Sequence, residues 1–550
     1  MTDPVLMLVE YGGYLSIVKL CSFLLFFPSW ALINWTYKDA KSIDANEVMW
    51  TAIMLGTLVV TVLLWFMVPI YTVGLVLYLV GMLGTGLAYV KYRNARVLDF
   101  DKVLTVEHIK AVLTQSDQED EGQENFTFIT ANKNEVPRPK PRTPDFFGYR
   151  AAYDILLEAL KQRAESITFV PGPETFKATY QIDGASVPQA DQPKEQMEYF
   201  VRFVKQVGGL NEKERRKPQK GLFKTRQGKE TVEWQITTAG STAGEQVRIE
   251  KVTKEQAMRL SELGLTSKQT EMWHGLRECR GGVYIISGPR ASGLTSSFYS
   301  LLSNHDAYMN SIHTLEKEIT GQLPSITQEH YSLSDTASVT YAQKLEKLFR
   351  MEPDVVGVAE CVDTETAKSI CEAARTGKLV YVIIEADSAL QALGRWLKLV
   401  GDRKTAVEHM VGLSNQRLLR KLCPECKQGY APNQDILKKF NLPADKAKVL
   451  YRPGKVVFDK RGKESACADC HSTGFVGRTG VYETITLNSE LSRVILTCKT
   501  LQDMGIQFRR AKMVFLQEQA LRKVLAGETA INEMVRVLTP AKRAKAKQTK

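Results

Sequence analysis

Charge is missing from one long stretch of this chain. Between Val48 and Val90 there is no Asp, Glu, Lys or Arg, over about twice the length a membrane-spanning helix needs. That excludes a solvated surface segment and predicts two apolar spans in a hairpin broken near Pro69. An earlier stretch, Tyr14 to Trp35, is nearly as apolar but carries Lys19 and Pro28, and reads as a third span or as a re-entrant segment. No small-residue cleavage site is obvious and more apolar sequence follows, which argues against a cleaved signal peptide. Lys38 and Lys41 in the first loop and Lys91, Arg93 and Arg96 after the last span put both loops, and the bulk of the chain, on the cytoplasmic side.

Cysteine is scarce as well. Nine in 550 residues exclude the disulfide framework of a small secreted domain and suit a reducing compartment. Cys21, Cys279, Cys361, Cys371 and Cys498 are scattered, while Cys423-Pro-Glu-Cys426 and Cys467-Ala-Asp-Cys470 form two matched pairs. Four thiolates in two knuckles are the donor set of a closed tetrahedral Zn²⁺ site, a structural staple without catalytic duty. Unligated thiols or a redox CxxC are the competing readings, and the matching of the pairs favours zinc. His471 adjoins the second pair but is surplus once four sulfurs are present.

The loop Gly288 to Tyr299, GPRASGLTSSFY, follows the β-branched run GGVYIIS and opens a helix-like stretch, the strand–loop–helix context of a phosphate-binding loop. Its lysine is absent, and Leu294 stands there. Gly288 and Gly293 remain to let backbone N–H groups surround phosphates. Thr295 keeps the position whose hydroxyl would hold Mg²⁺, and Arg290, Ser292 and Ser296 complete the candidate ATP contacts. The same glycines and Thr295 could instead simply make the turn and cap the helix.

Length implies several domains, and a net charge of +12 suits an anionic partner: lipid, nucleic acid or nucleotide. Aromatic-basic interleaving and a helix-turn-helix pattern are both lacking, so no nucleic-acid partner is expected. The divisions are 1–95, a membrane anchor of two to three transmembrane helices; 96–145, a linker containing SDQEDEGQEN and VPRPKPRTPD; 146–252, an α+β domain; 253–539, an α/β nucleotide-fold domain with a zinc subdomain at about 421–475; and 540–550, a basic tail. The tail either touches anionic lipid or is solvated. Lys213, Arg215, Arg216 and Lys217 form a basic patch, either interdomain or plain surface charge.

Six ordered stretches make the pattern specific: ERRKPQKG (Glu214–Gly221), the Gly288 loop, RMEPDVVGVAE (Arg350–Glu360), ETAKSICEAARTGKLV (Glu365–Val380), the CPEC and CADC pairs, and TGFVGRTGVYE (Thr473–Glu483). From about Phe146 to Thr539 the chain closely resembles the assembly ATPases of type II secretion and type IV pilus systems. The resemblance implies an α/β fold class in which a small α+β domain precedes a RecA-like P-loop NTPase-type core with an inserted tetracysteine zinc subdomain. The N-terminal transmembrane helices lie outside it. It also implies a hexameric ring, a homo-oligomer or a hetero-oligomer with an active homologue, docked on inner-membrane secretion or pilus platform proteins. The localisation that follows is the bacterial inner membrane, multi-pass, with the large C-terminal part cytoplasmic.

Aligned with the family motifs, Glu360 takes the second acidic position, able to orient water or metal, and Glu316 the first residue of the earlier acidic motif. Four losses stand against them: Leu294 for the loop lysine, Lys317 for an acid, Glu385 for a histidine, and Gln235 and Glu250 for arginines of the preceding domain. A charge-assisted hydrogen bond is worth about 1.5–3 kcal/mol, so the lysine alone costs roughly ten- to a hundredfold in phosphate affinity. A charge-stabilising arginine is worth on the order of 10³–10⁵ in phosphoryl transfer. The expectation is a catalytically impaired family member that binds ATP weakly and acts as scaffold, regulator or partner subunit. The alternative is an active ATPase motor in which Arg290 or a neighbouring subunit supplies the missing cation.

Overall fold

The computed structural model describes residues 26–42, 45–68, 70–95, 103–104, 126–139, 143–253, 255–332, 339–443, 447–454, 456–458 and 464–539. The basic tail lies outside them, as does most of the Tyr14–Trp35 stretch. Two compact units emerge, one of residues 1–157, 168–178 and 189–250, the other of residues 158–167, 179–188 and 251–550.

Three N-terminal helices span Phe26–Ser42, Glu47–Met67 and Tyr71–Asn94. Two of them, over Glu47–Trp65 and Thr72–Asn94, are long and apolar enough to cross a membrane. Asn46 caps the second by accepting the Met49 N–H at 3.0 Å. The helices pack through Ile33, Met54, Leu58, Tyr78 and Met82, with Trp65 stacked on Tyr78 at 5.4 Å between centroids. Arg93, counted above among the flanking cations, is only 1% exposed and sits 2.8 Å from Asp39, which also accepts the Tyr89 hydroxyl at 2.7 Å. A buried charge is tolerated only when paired in this way.

In the α+β part, eight strands share one sheet: β1 (Phe126–Ile129), β2 (Ala164–Pro171), β3 (Thr175–Ile182), β4 (Ala185–Pro188), β5 (Gln192–Pro193), β6 (Gln219–Gln227), β7 (Glu230–Ser241) and β8 (Gly244–Lys251). Their order is β1-β6-β7-β8-β2-β3-β4, with β5 on β3. The expected turn at Asp183-Gly184 joins β3 to β4 with both residues at positive φ, the conformation a two-residue hairpin favours. One boundary moves. Residues 96–145 are not all linker, because Phe126–Ile129 pairs antiparallel with Lys224–Gln227 as an edge strand and buries Phe126 and Phe128. The amphipathic helix Lys194–Val207 buries Phe200, Phe203 and Val204 and carries the buried Lys205, 2.8 Å from Glu245.

The second unit is built on seven strands: β9 (Gly282–Gly288), β10 (Ile312–Glu316), β11 (Thr327–His330), β12 (Val355–Val358), β13 (Leu379–Glu385), β14 (Met410–Leu422) and β19 (Phe475–Thr486), in the order β11-β10-β12-β13-β9-β14-β19. All pair in parallel except β19, antiparallel to β14. Every residue of β9 is buried, as expected of a parallel strand covered on both faces. Helices Thr364–Arg375 and Ala389–Val400 cover one face through Ile370, Leu393 and Trp396, and helix Leu294–Leu302 packs with Tyr284 and Tyr381 in a second cluster. This is an α/β nucleotide-fold core. Between β14 and β19 an insertion carries two small antiparallel ribbons, β15 (Gln428–Tyr430) with β16 (Leu450–Arg452) and β17 (Val456–Phe458) with β18 (Glu464–Ala466).

The last helix, Ile531–Leu538, is tied to β14 by Glu533, whose carboxylate meets Arg420 at 2.8 Å and Arg536 at 2.6 Å. Burial pushes its pKa up, but the two guanidiniums outweigh burial and hold it at about 2, against an ordinary 4.5. A depressed carboxylate contributes stability that is complete above its unfolded pKa and lost as pH falls towards its folded one. Glu533→Gln is therefore expected to lower the denaturant midpoint at neutral pH. The gap from wild type should close between pH 4.5 and about 2, measured by urea unfolding across that range.

Candidate functional site

At the end of β9 the chain leaves the sheet through Gly288 and re-enters regular structure at Leu294. Gly293 sits at φ 80°, a left-handed conformation that glycine adopts without steric cost. The first-turn amides of the helix Leu294–Leu302 have no side-chain cap, and such amides with the helix dipole attract anions. A Cβ on Gly288 would fall 2.3 Å from Ser292 Oγ and 2.9 Å from the Gln416 carbonyl oxygen, so the loop closes only over a glycine.

The loop opens on a cavity of about 830 Å³ lined by Arg290, Leu294, Thr295, Glu316, Lys317, Glu318, Glu360 and Glu385, among others. The sequence candidates divide here. Arg290, Thr295, Glu316 and Glu360 line the cavity with Leu294. Ser292 does not line it: its hydroxyl is buried with no hydrogen-bond partner among the described residues, and its carbonyl accepts Gln416 Nε2 at 2.9 Å. Ser296 donates its hydroxyl to Glu255 at 3.1 Å. The Ser292 backbone is engaged too, its N–H donating to the Pro289 carbonyl at 3.3 Å, so neither serine offers its hydroxyl to the cavity.

Two ion pairs line the cavity, beside the charged side chains of Glu318, Arg395 and Lys398. Lys317 Nζ lies 2.5 Å from Glu360 Oε2, with side chains 54% and 34% exposed. Arg290 Nε lies 3.0 Å from Glu385 Oε1, with side chains 88% and 54% exposed. Pairs this open add little stability, yet each neutralises a group the chemistry would use. A divalent cation about 4 Å from the Lys317 ammonium would meet repulsion on the order of 2 to 8 kcal/mol, from bulk water to an effective dielectric near 20. With Lys317 paired to it, Glu360 does not fit as a ligand for Mg²⁺.

Glu316 has a different role from Glu360. It is 2% exposed and accepts the hydroxyls of Tyr299 and Thr314, each at 2.7 Å, and Gln328 Nε2 at 3.1 Å. Burial, then the bond to Glu316, pushes the Tyr299 phenol up to about 12, so Tyr299 is a donor at neutral pH. Three donors make Glu316 a bracing acid within the sheet. In the first unit, Gln235 pairs with Leu222 across β6 and β7, and Glu250 is 2.5 Å from Arg248.

The cysteine pairs form a second centre. Cys423, Cys426, Cys467 and Cys470 are all buried, with their sulfurs within 4.8 Å of one another. Two sulfur pairs stand at 3.8 and 3.5 Å, near the ~3.8 Å edge of a tetrahedron with metal–sulfur bonds of about 2.3 Å. None is in a disulfide. The donor set and spacing fit a bound metal ion.

Some features of the site had no clear sequence signal. Which acid meets Lys317 and which meets Arg290 depends on strand register. Gln416 grips the loop from β14, and the buried polar run Ser414-Asn415-Gln416 in that strand was the one trace of it. Tyr299→Phe should remove a hydrogen bond to a charged acceptor and destabilise the second unit by about 1.5–3 kcal/mol, read from the denaturant midpoint.

A family model described as "Type II/IV secretion system protein" matches residues 149–536. Among curated relatives, the type IV pilus assembly ATPase PilB of Thermus thermophilus is 27% identical over 404 residues, which is 73% of this chain and 44% of that protein. Type II secretion system protein E of Pseudomonas aeruginosa is 28% identical over 384 residues, 70% of this chain and 74% of that one. Among solved structures, the Legionella pneumophila ATPase DotB aligns at TM-score 0.49 and 14% identity over 73% of this chain and 96% of its own, a likeness too loose to bear on function. The chain spans less than half the length of the PilB relative.

Proposed function

Because the chain belongs to the type II/IV secretion system protein family, we propose that it is a membrane-anchored homologue of the secretion and pilus ATPases with impaired hydrolysis. It serves as a scaffold, regulator or partner subunit in a secretion or pilus-type assembly. The observation that carries this reading is the 2.5 Å pair between Lys317 and Glu360. The acid that would orient water or metal is bound to an ammonium, in the cavity where Leu294 replaces the loop lysine. The two apolar helices support anchoring in a bilayer, and relatives named as type II secretion and pilus assembly proteins support a bacterial inner-membrane setting. In that setting the chain forms a homo-oligomer, or a ring with an active homologue, on inner-membrane platform proteins.

ATP binding is expected to be weak and phosphate release hard to detect. Leu294→Lys should tighten nucleotide binding by roughly ten- to a hundredfold while turnover stays low, since Lys317 and Glu385 remain and the arginines of the preceding domain are absent. Nucleotide titration and phosphate release on wild type, Leu294→Lys and Glu360→Gln check this. Robust wild-type turnover abolished by Glu360→Gln would instead establish an active motor.

The buried thiol cluster supports a structural Zn²⁺. Metal analysis of the purified chain should find about one zinc per chain at this site. Cys423→Ser and Cys470→Ser should each lose it and lower Tm, whereas metal-free protein with an unchanged Tm would refute the assignment.

A further inference from the structure

We infer that the loop cavity takes a nucleoside polyphosphate without a divalent metal, the Lys317 ammonium supplying the positive charge that Mg²⁺ and the loop lysine would otherwise bring. This rests on the nucleotide reading proposed above and specifies the form of ligand that the site accepts.

The argument begins with what each lining carboxylate can still do. A hard cation such as Mg²⁺ is usually held by one or two carboxylates besides water and phosphate, and the Thr295 hydroxyl that lines the cavity brings no negative charge to hold it. Glu360 is already engaged by Lys317 at 2.5 Å. Glu385 is engaged by Arg290 at 3.0 Å. Glu316 is buried, and its carboxylate is held by Tyr299, Thr314 and Gln328. Glu318 lines the same cavity as an exposed side chain, and one exposed carboxylate is not a metal site.

Placement supplies the rest. Lys317 follows the last residue of β10 and shares the cavity with Leu294 and Thr295 at the helix start. An ammonium there can complement phosphate charge that the uncapped amides of the helix Leu294–Leu302 also attract. Lys317 is 54% exposed and its partner 34%. Exchanging Glu360 for a phosphate therefore strands no buried charge, and the four-carbon stem lets the ammonium move. Arg290 is less suited to this task, being 88% exposed and paired with Glu385.

The test uses the full chain in detergent micelles and titrates a fluorescent N-methylanthraniloyl derivative of ATP, in excess EDTA and again in millimolar Mg²⁺. Wild type should bind with the same Kd, within about twofold, under both conditions. Lys317→Ala should weaken binding in EDTA by about tenfold or more, the loss of one charge-assisted contact. Lys317→Arg should retain it. Lys317→Asp should lose binding in EDTA and regain it with Mg²⁺. The Tm of Lys317→Ala should match wild type, because a half-exposed pair contributes little to folding. Wild-type binding that requires Mg²⁺ overturns this inference and leaves the nucleotide reading standing. Unchanged binding by Lys317→Ala overturns it as well. Absence of binding under both conditions overturns the inference and the nucleotide reading together.

Discussion

The parallel register of the central sheet decides what the loop cavity contains. In the β10–β12 pair, Leu315 lies opposite Val358. Two residues beyond that pair, past the ends of both strands, Lys317 meets Glu360. In the β13–β9 pair, Glu385 lies opposite Gly288, which puts that acid at the mouth of the loop and within reach of Arg290. A one-residue slip would send every side chain of a strand to its opposite face. Both faces of β9 are buried, so its register is held by packing against the layers on either side. The ion pairs in the cavity are therefore consequences of how the core packs. They follow from strands whose apolar residues pack the core, of which Ile383 and Ile384 also line the cavity.

This ordering explains how much could be read in advance. The loop itself, its missing lysine and the acid-to-base change at Lys317 are local features, visible in a few consecutive residues. So were the four cysteines, because metal-ligand spacing is a short-range signal, and the Asp183-Gly184 turn, because its chemistry lies in two residues. The partnership of Lys317 with Glu360 joins residues from separate strands, and no local pattern encodes register between parallel strands joined by crossovers. Ser292 and Ser296 show the converse difficulty. Their spacing matched a phosphate-binding loop, but Gln416 holds the Ser292 backbone carbonyl and Glu255 draws the Ser296 hydroxyl, both from distant parts of the chain.

The edge strand β1 was hidden for another reason. Four residues, FTFI, alternate buried and partly exposed positions between an acidic run and a proline-basic run, and such a short alternation is indistinguishable from chance until a partner strand is known. Arg93 has a partner that its position does not announce. Near the end of an apolar helix it reads as a flanking cation, and its ion pair with Asp39 at 2.8 Å joins residues far apart in the chain.

The insertion between Leu422 and Phe475 can be considered as a loop-closure problem. Strands β14 and β19 pair antiparallel along most of their length, down to Leu422 opposite Phe475, and the first cysteine follows Leu422 directly. The four sulfurs, within 4.8 Å of one another, form a neck where the chain leaves and re-enters the sheet. From the sheet's side the insertion is then equivalent to a tight turn, whatever its length, because the entropy of bringing its ends together is met at the neck and grows only slowly with the number of residues beyond it. The lobe still reaches back to the sheet, because Leu442, Ala447 and Leu450 share a core cluster with Leu419 of β14 and Val481 of β19, so its length and sequence are free to vary only outside those contacts.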